Sequence, residues 1–144
     1  MPIIVNEEKT IQRQVAKRWT PELSKAWTPV SDAFLTYYRE LDITPPEAMF
    51  IILLMSYKWD KSAPYPGFKS LAKKMGVTMT AVRGYARSLE KDKKVLRREI
   101  RVDDTNIFHL DLLFEKLEQK VKAAEAKDGI KTRRVRKPQA GRVD

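Results

Sequence analysis

Two arginines four residues apart, Arg83 and Arg87, carry the sharpest chemical potential in this chain of 144 residues. A guanidinium is a rigid fork of N–H donors that can meet the O6 and N7 acceptors of a guanine edge with two bonds at once. Placed i, i+4 on a helix, the two forks leave from one face. Thr80 and Gly84 share that face, with Thr78 at its start and Lys91 at its end. A threonine hydroxyl suits a phosphate or a base edge, and Gly84, having no side chain, lets a partner come close to the backbone. Lys69, Lys73 and Lys74 lie just upstream, where flexible point charges would hold a phosphate backbone. Thr78, Thr80, Arg83, Gly84 and Arg87 are therefore candidate base contacts, and Lys69, Lys73, Lys74 and Lys91 candidate backbone contacts.

Other reactive chemistry is poorly supplied. The chain has one histidine, His109, and no cysteine, which excludes a metal site of ordinary composition and any disulfide. There is no Gly-rich phosphate loop of the Walker type and no Gly-x-Ser-x-Gly nucleophile elbow. Asp103 and Asp104 are adjacent carboxylates, better placed to form a turn than to hold two metals. Met49, Met55 and Trp59 lie on an almost wholly apolar segment and suit core packing rather than a ligand pocket. The expectation is a chain without enzymatic activity, cofactor or metal.

The elements that must position these residues can be read around them. Phe68, Leu71, Ala72 and Met75 recur at the spacing of a buried helical stripe. Gly76 follows where a left-handed C-terminal cap belongs, and Thr78 can cap the next helix two residues later. That helix, Met79 to Lys91, gathers Val82, Ala86 and Leu89 on its inner side, with Met79 and Tyr85 at the margins. Beyond it, residues 95–101 and 106–110 alternate apolar and polar around Asp103-Asp104, the pattern of a β-hairpin. Upstream, Thr44-Pro45-Pro46-Glu47 has the form of a capping box opening a buried helix. Downstream, Leu113, Phe114, Leu117 and Val121 predict a helix over 111–127.

This arrangement resembles the winged helix-turn-helix family over roughly residues 44–117. The landmarks are Pro66-Gly67, Leu71-Ala72, Gly76-Val77-Thr78, Ala81-Val82, Ser88-Leu89-Glu90 and Lys93-Lys94-Val95, followed by the hairpin. Gly67 stands where a capping serine is usual. Lys93 stands where a glycine is usual, which predicts a less tightly turned root of the wing. The resemblance implies a mainly α fold of the α+β kind with a small two-stranded wing. It places helix 79–91 in the major groove of double-stranded DNA, with Arg97, Arg98 and Arg101 of the wing straddling the next minor groove and its phosphates. The likeness is to the initiator-associated winged helices of plasmids and phages and to small transcriptional regulators of the same fold. The length favours a regulator, since initiators usually carry a second domain. The alternative is a winged-helix adaptor that binds a protein within a nucleoprotein assembly.

Charge agrees with a polyanionic partner. Residues 1–43 balance six basic against six acidic side chains, whereas residues 44–110 carry thirteen against seven and residues 111–144 ten against six. The formal net charge of +10 thus sits on the helix pair, the wing and the tail. Four segments follow: a helical N-terminal extension (1–43), the winged domain (44–110), a C-terminal helix (111–127) and a basic, disordered tail (128–144). In the extension, Phe34, Leu35, Tyr38 and Leu41 form the predicted docking face. In the tail, Arg133, Arg134, Arg136 and Lys137 are candidate phosphate contacts. The C-terminal helix or the N-terminal extension would serve a homodimer. No apolar run approaches the ~20 residues of a membrane span, and MPIIVNEEKT lacks the form of a secretory signal. The expected home is the cytoplasm, in association with the nucleoid.

Overall fold

A computed structural model describes residues 5–57, 66–100 and 106–128. Its helices are α1 (Val5–Arg18), α2 (Asp32–Tyr37), α3 (Pro45–Ser56), α4 (Phe68–Met75), α5 (Met79–Arg87) and α6 (Asp111–Asp128), with strands β1 (Arg97–Ile100) and β2 (Asn106–His109) before α6. The chain divides into two compact units, Met1–Val30 and Ser31–Asp144. Arg101, the Asp103-Asp104 turn and the tail residues Arg133, Arg134, Arg136 and Lys137 lie outside the described residues.

The first unit pairs α1 with a single 3-10 turn, Leu23–Lys25. Thr20 starts that turn by accepting the Leu23 N–H through its hydroxyl at 3.1 Å. Trp19, Leu23 and Trp27 stay exposed.

In the second unit, the Ser31 hydroxyl accepts the Ala33 N–H and starts α2, which continues as a 3-10 turn, Tyr38–Leu41. The chain then reverses through Asp42, whose φ of 65° is left-handed, and buries Ile43. Phe34 packs inward as expected, but Leu35 is 54% exposed. The inward stripe is instead Phe34, Tyr37, Tyr38 and Leu41, at i, i+3, i+4 and i+7, and Leu35 falls one helical step outside it. This segment packs with α6, and Lys120 reaches Glu40 at 3.1 Å.

Helix α3 is the spine. Thr44 and Glu47 form the reciprocal capping box, with the Glu47 N–H donating to the Thr44 hydroxyl at 3.3 Å and the Thr44 N–H to the Glu47 carboxylate at 3.0 Å. Phe50, Ile51 and Leu54 are buried, as are Leu71, Val82, Leu89, Leu96, Phe108 and Leu113. The Phe50 and Phe108 rings meet edge to face at 6.0 Å, and truncating either to Ala would cost about 3–5 kcal/mol. The strands pair antiparallel, Arg97 opposite His109 and Ile100 opposite Asn106. A mainly α fold with one small hairpin, of winged-helix form, is the result. In α6, Leu113 and Leu117 are buried while Phe114 remains 38% exposed, so the helix seals the domain with one edge only.

Candidate nucleic-acid interface

The turn between α4 and α5 sets the geometry of the site. Gly76 closes α4 at φ 70°, where an L side chain would be strained. Its N–H donates to the Lys73 carbonyl at 3.3 Å and that of Val77 to the Ala72 carbonyl at 3.1 Å, satisfying the last groups of the helix. Thr78 then caps α5 by accepting the Ala81 N–H at 3.1 Å. Val82 and Ala86 turn into the core, which leaves Thr80, Arg83 and Arg87 exposed on the opposite side. Thr78 is exposed too, although its hydroxyl is already engaged in the cap.

Gly84 lies half-buried between the two arginines. A Cβ built on it meets nothing within 4 Å. No packing among the described residues asks for a glycine here, yet glycine within a helix costs about 1 kcal/mol relative to Ala.

The helix expected to end at Lys91 ends as regular α-helix at Arg87. Residues Ser88–Asp92 continue it as a wider π turn, closed by the Lys93 N–H on the Ser88 carbonyl at 2.9 Å. Lys91 is exposed on this turn. The root of the wing is nonetheless a tight reversal. Lys93 keeps a helical backbone, and the left-handed residue is Lys94, at φ 56°. Freed from the turn, the Lys93 side chain runs inward. Its ammonium donates to the Ser88 hydroxyl at 2.8 Å and to the Glu47 carboxylate at 3.2 Å, in a largely buried pair. Burial pushes the Glu47 carboxyl up, but the Thr44 N–H, the Ser88 hydroxyl and the Lys93 ammonium together hold it below its ordinary value. The start of α3 is thereby tied to the root of the wing.

The cations around α5 differ in how firmly they are held. Lys69 and Lys73 are exposed, and so is Arg97 on β1. Lys74 is exposed with its ammonium 4.6 Å from the centre of the Tyr57 ring. Arg98 is half-buried: its guanidinium lies 5.9 Å from the Phe68 ring centre and 3.8 Å from the Glu90 carboxylate. Arg83 also stands 5.9 Å from the Phe68 ring. His109 lies on β2, its Nε2 2.9 Å from the Glu99 carboxylate. Among the described residues no group of His, Asp and Glu has the makings of a metal site, and no helix is long and apolar enough to cross a membrane.

The sequence reading missed the roles of Phe68, Tyr57 and Lys93. Its spacing places Phe68 on a core stripe, and nothing in that spacing indicates that two arginines from different elements converge on it. For Lys93 the departure from glycine was itself a signal, since a long cation at a tight turn needs a partner.

A family model for the DnaD N-terminal domain matches residues 30–128. The chain belongs to the DnaD N-terminal domain family. No curated protein matches it in sequence. The match begins at the division between the two units and ends with α6, so the DnaD N-terminal domain here comprises α2 through α6 and excludes α1. Membership sets the chain among the proteins of replication initiation and DNA-associated assembly.

Proposed function

We propose that this DnaD-family chain binds double-stranded DNA during replication initiation, with α5 and the π turn in the major groove and the hairpin acting as a wing on the adjacent backbone. Gly84 carries the reading. A helix-weakening glycine sits between two exposed arginines, with open space where its side chain would be. Among the described residues no intramolecular reason for it is found, whereas a close-approaching groove floor supplies one. Arg83 and Arg87 would contact guanine edges, each worth ~1–3 kcal/mol of discrimination. Thr80 would meet a phosphate or base edge, and Lys69, Lys73, Lys74, Lys91 and Arg97 would follow the phosphates. The protein acts by binding, without catalysis. Replication initiation is preferred to transcriptional regulation because of the family.

A protein partner is a second function of the N-terminal unit. Trp19 is 68% exposed and Leu23 and Trp27 are exposed beside it in sequence, and soluble surfaces rarely leave several large apolar groups uncovered together. Self-association or an adaptor contact would cover them.

Selection from a random duplex library at near-physiological salt, with the full chain, tests the groove reading. An enriched motif is expected, and its symmetry will report whether one or two copies read it. Binding that vanishes as salt rises, with no enriched motif, would transfer the assignment to the protein adaptor.

A further inference from the structure

Three elements converge on one aromatic ring. Phe68 opens α4, and its ring centre lies 5.9 Å from the guanidinium of Arg83 on α5 and 5.9 Å from that of Arg98 on β1. Both distances fall within the range at which a cation is attracted to the ring face. The ring itself is anchored, since Phe68 lies 6.1 Å from Phe108, which is fully buried and braced edge-on by Phe50. Two guanidinium groups on one ring repel each other. Glu90 relieves this: its carboxylate lies 3.8 Å from Arg98, and its Oε1 is buried without a hydrogen bond of its own. That oxygen is compensated by the Arg98 charge, which in turn draws Arg98 toward the π turn.

We propose that Phe68, Arg98 and Glu90 are positioning residues that hold Arg83 in its reading orientation, and so set sequence discrimination without touching a base. The inference rests on the groove reading given above. An exposed arginine samples many rotamers, and fixing it on a base edge lowers its entropy. A ring contact made in the free protein removes part of that cost in advance, and only for orientations compatible with the ring. Glu90 holds Arg98, Arg98 and Phe68 share the ring contact, and Arg83 is left with a narrowed set of directions. The wing thereby influences how α5 reads.

The test compares the full chain with Arg83→Ala, Phe68→Leu, Glu90→Gln and the two double variants that add Arg83→Ala, on the duplex enriched by selection and on a scrambled duplex. Glu90→Gln keeps size and shape, so it carries the test should Phe68→Leu, which also packs on Phe108, lower the melting temperature. Arg83→Ala is expected to reduce the preference for the enriched duplex by roughly tenfold. Phe68→Leu and Glu90→Gln should each reduce it by roughly two- to fivefold, with little change on scrambled duplex and no further loss when combined with Arg83→Ala. In the free protein, relaxation of the Arg83 Nε–Hε group should report greater motion in both single variants. Additive losses, or unchanged Arg83 motion, would overturn the positioning role while leaving the groove reading intact. Undiminished preference in Arg83→Ala would overturn both.

Discussion

Gly84 gives a prediction in which two measured quantities move in opposite directions. Because a Cβ there meets nothing within 4 Å, Gly84→Ala should stabilise the fold by about 0.5–1 kcal/mol through the helix alone. The same methyl would occupy the surface that the proposed groove contact uses, so duplex affinity should fall while the melting temperature rises. A rise in both would show that close approach is not what the glycine is for. The exposed lysines behave differently from the arginines. Lys73→Ala should weaken binding to every duplex about equally and lower the salt slope by ~1, whereas Arg83→Ala should relax sequence preference. Identical losses on all sequences from both substitutions would refute that division of labour. The inner and outer faces of α5 could be read from the sequence because helical periodicity sorts Val82 and Ala86 from Thr80, Arg83 and Arg87 without knowledge of the rest of the chain. The commitment of Arg98 to Phe68 and Glu90 could not, because it arises only when β1, α4 and the π turn meet.

Short-range chemistry set most of the element boundaries. The Thr44–Glu47 box, the Gly76 cap and the Thr78 cap each depend on residues within four positions, and all three form as expected. Elements that depend on distant partners were less readable. Hydrophobicity alone places Leu35 on the buried face of its short helix, but Tyr37 takes that place because α6 receives a stripe that skips Leu35. The root of the wing is the clearest case, since Lys93 finds its partner in Glu47, 46 residues earlier. Three predictions belong here. Lys94 carries the left-handed backbone that glycine adopts without strain, so Lys94→Gly should raise stability by about 1 kcal/mol in denaturant titrations. Glu47 is held below its ordinary value of 4.5, so the folded state favours its charged form. That contribution is complete above the ordinary value and is lost as pH falls through the lower, folded one. Urea midpoints measured down through this acid range should therefore fall in the parent chain and be flatter in Glu47→Gln. Lys93→Ala, which leaves the carboxylate without its cation, should cost about 1.5–3 kcal/mol at neutral pH.

Taken as a whole, the chain is a basic domain preceded by a short N-terminal unit, Met1–Val30. The family match starts where the two units divide, which predicts that residues 31–144 fold without residues 1–30. Their thermal transition should remain cooperative and lie within a few degrees of that of the full chain. Loss of the transition would mean that α1 is required for the core. Charge distribution predicts a polyanionic partner, and the alternation of residues 95–101 and 106–110 predicts the hairpin that β1 and β2 form. The family, by contrast, was reached only through the pattern of the domain as a whole, since no single motif of four or five residues distinguishes one winged fold from another. The π turn at Ser88–Asp92 joins α5 to the hairpin. An α-helical turn advances by about 100° per residue, and the π turn at Ser88–Asp92 holds one residue more than the regular helix would. Removing a single residue there would let the segment rewind as regular α-helix. Because four residues at about 100° each turn about as far as the five of the wider turn, the hairpin would keep nearly its present angular position. Chain length between α5 and the hairpin is thus buffered at this turn, and deletion of one residue within Ser88–Asp92 should leave the melting transition cooperative and the wing in place.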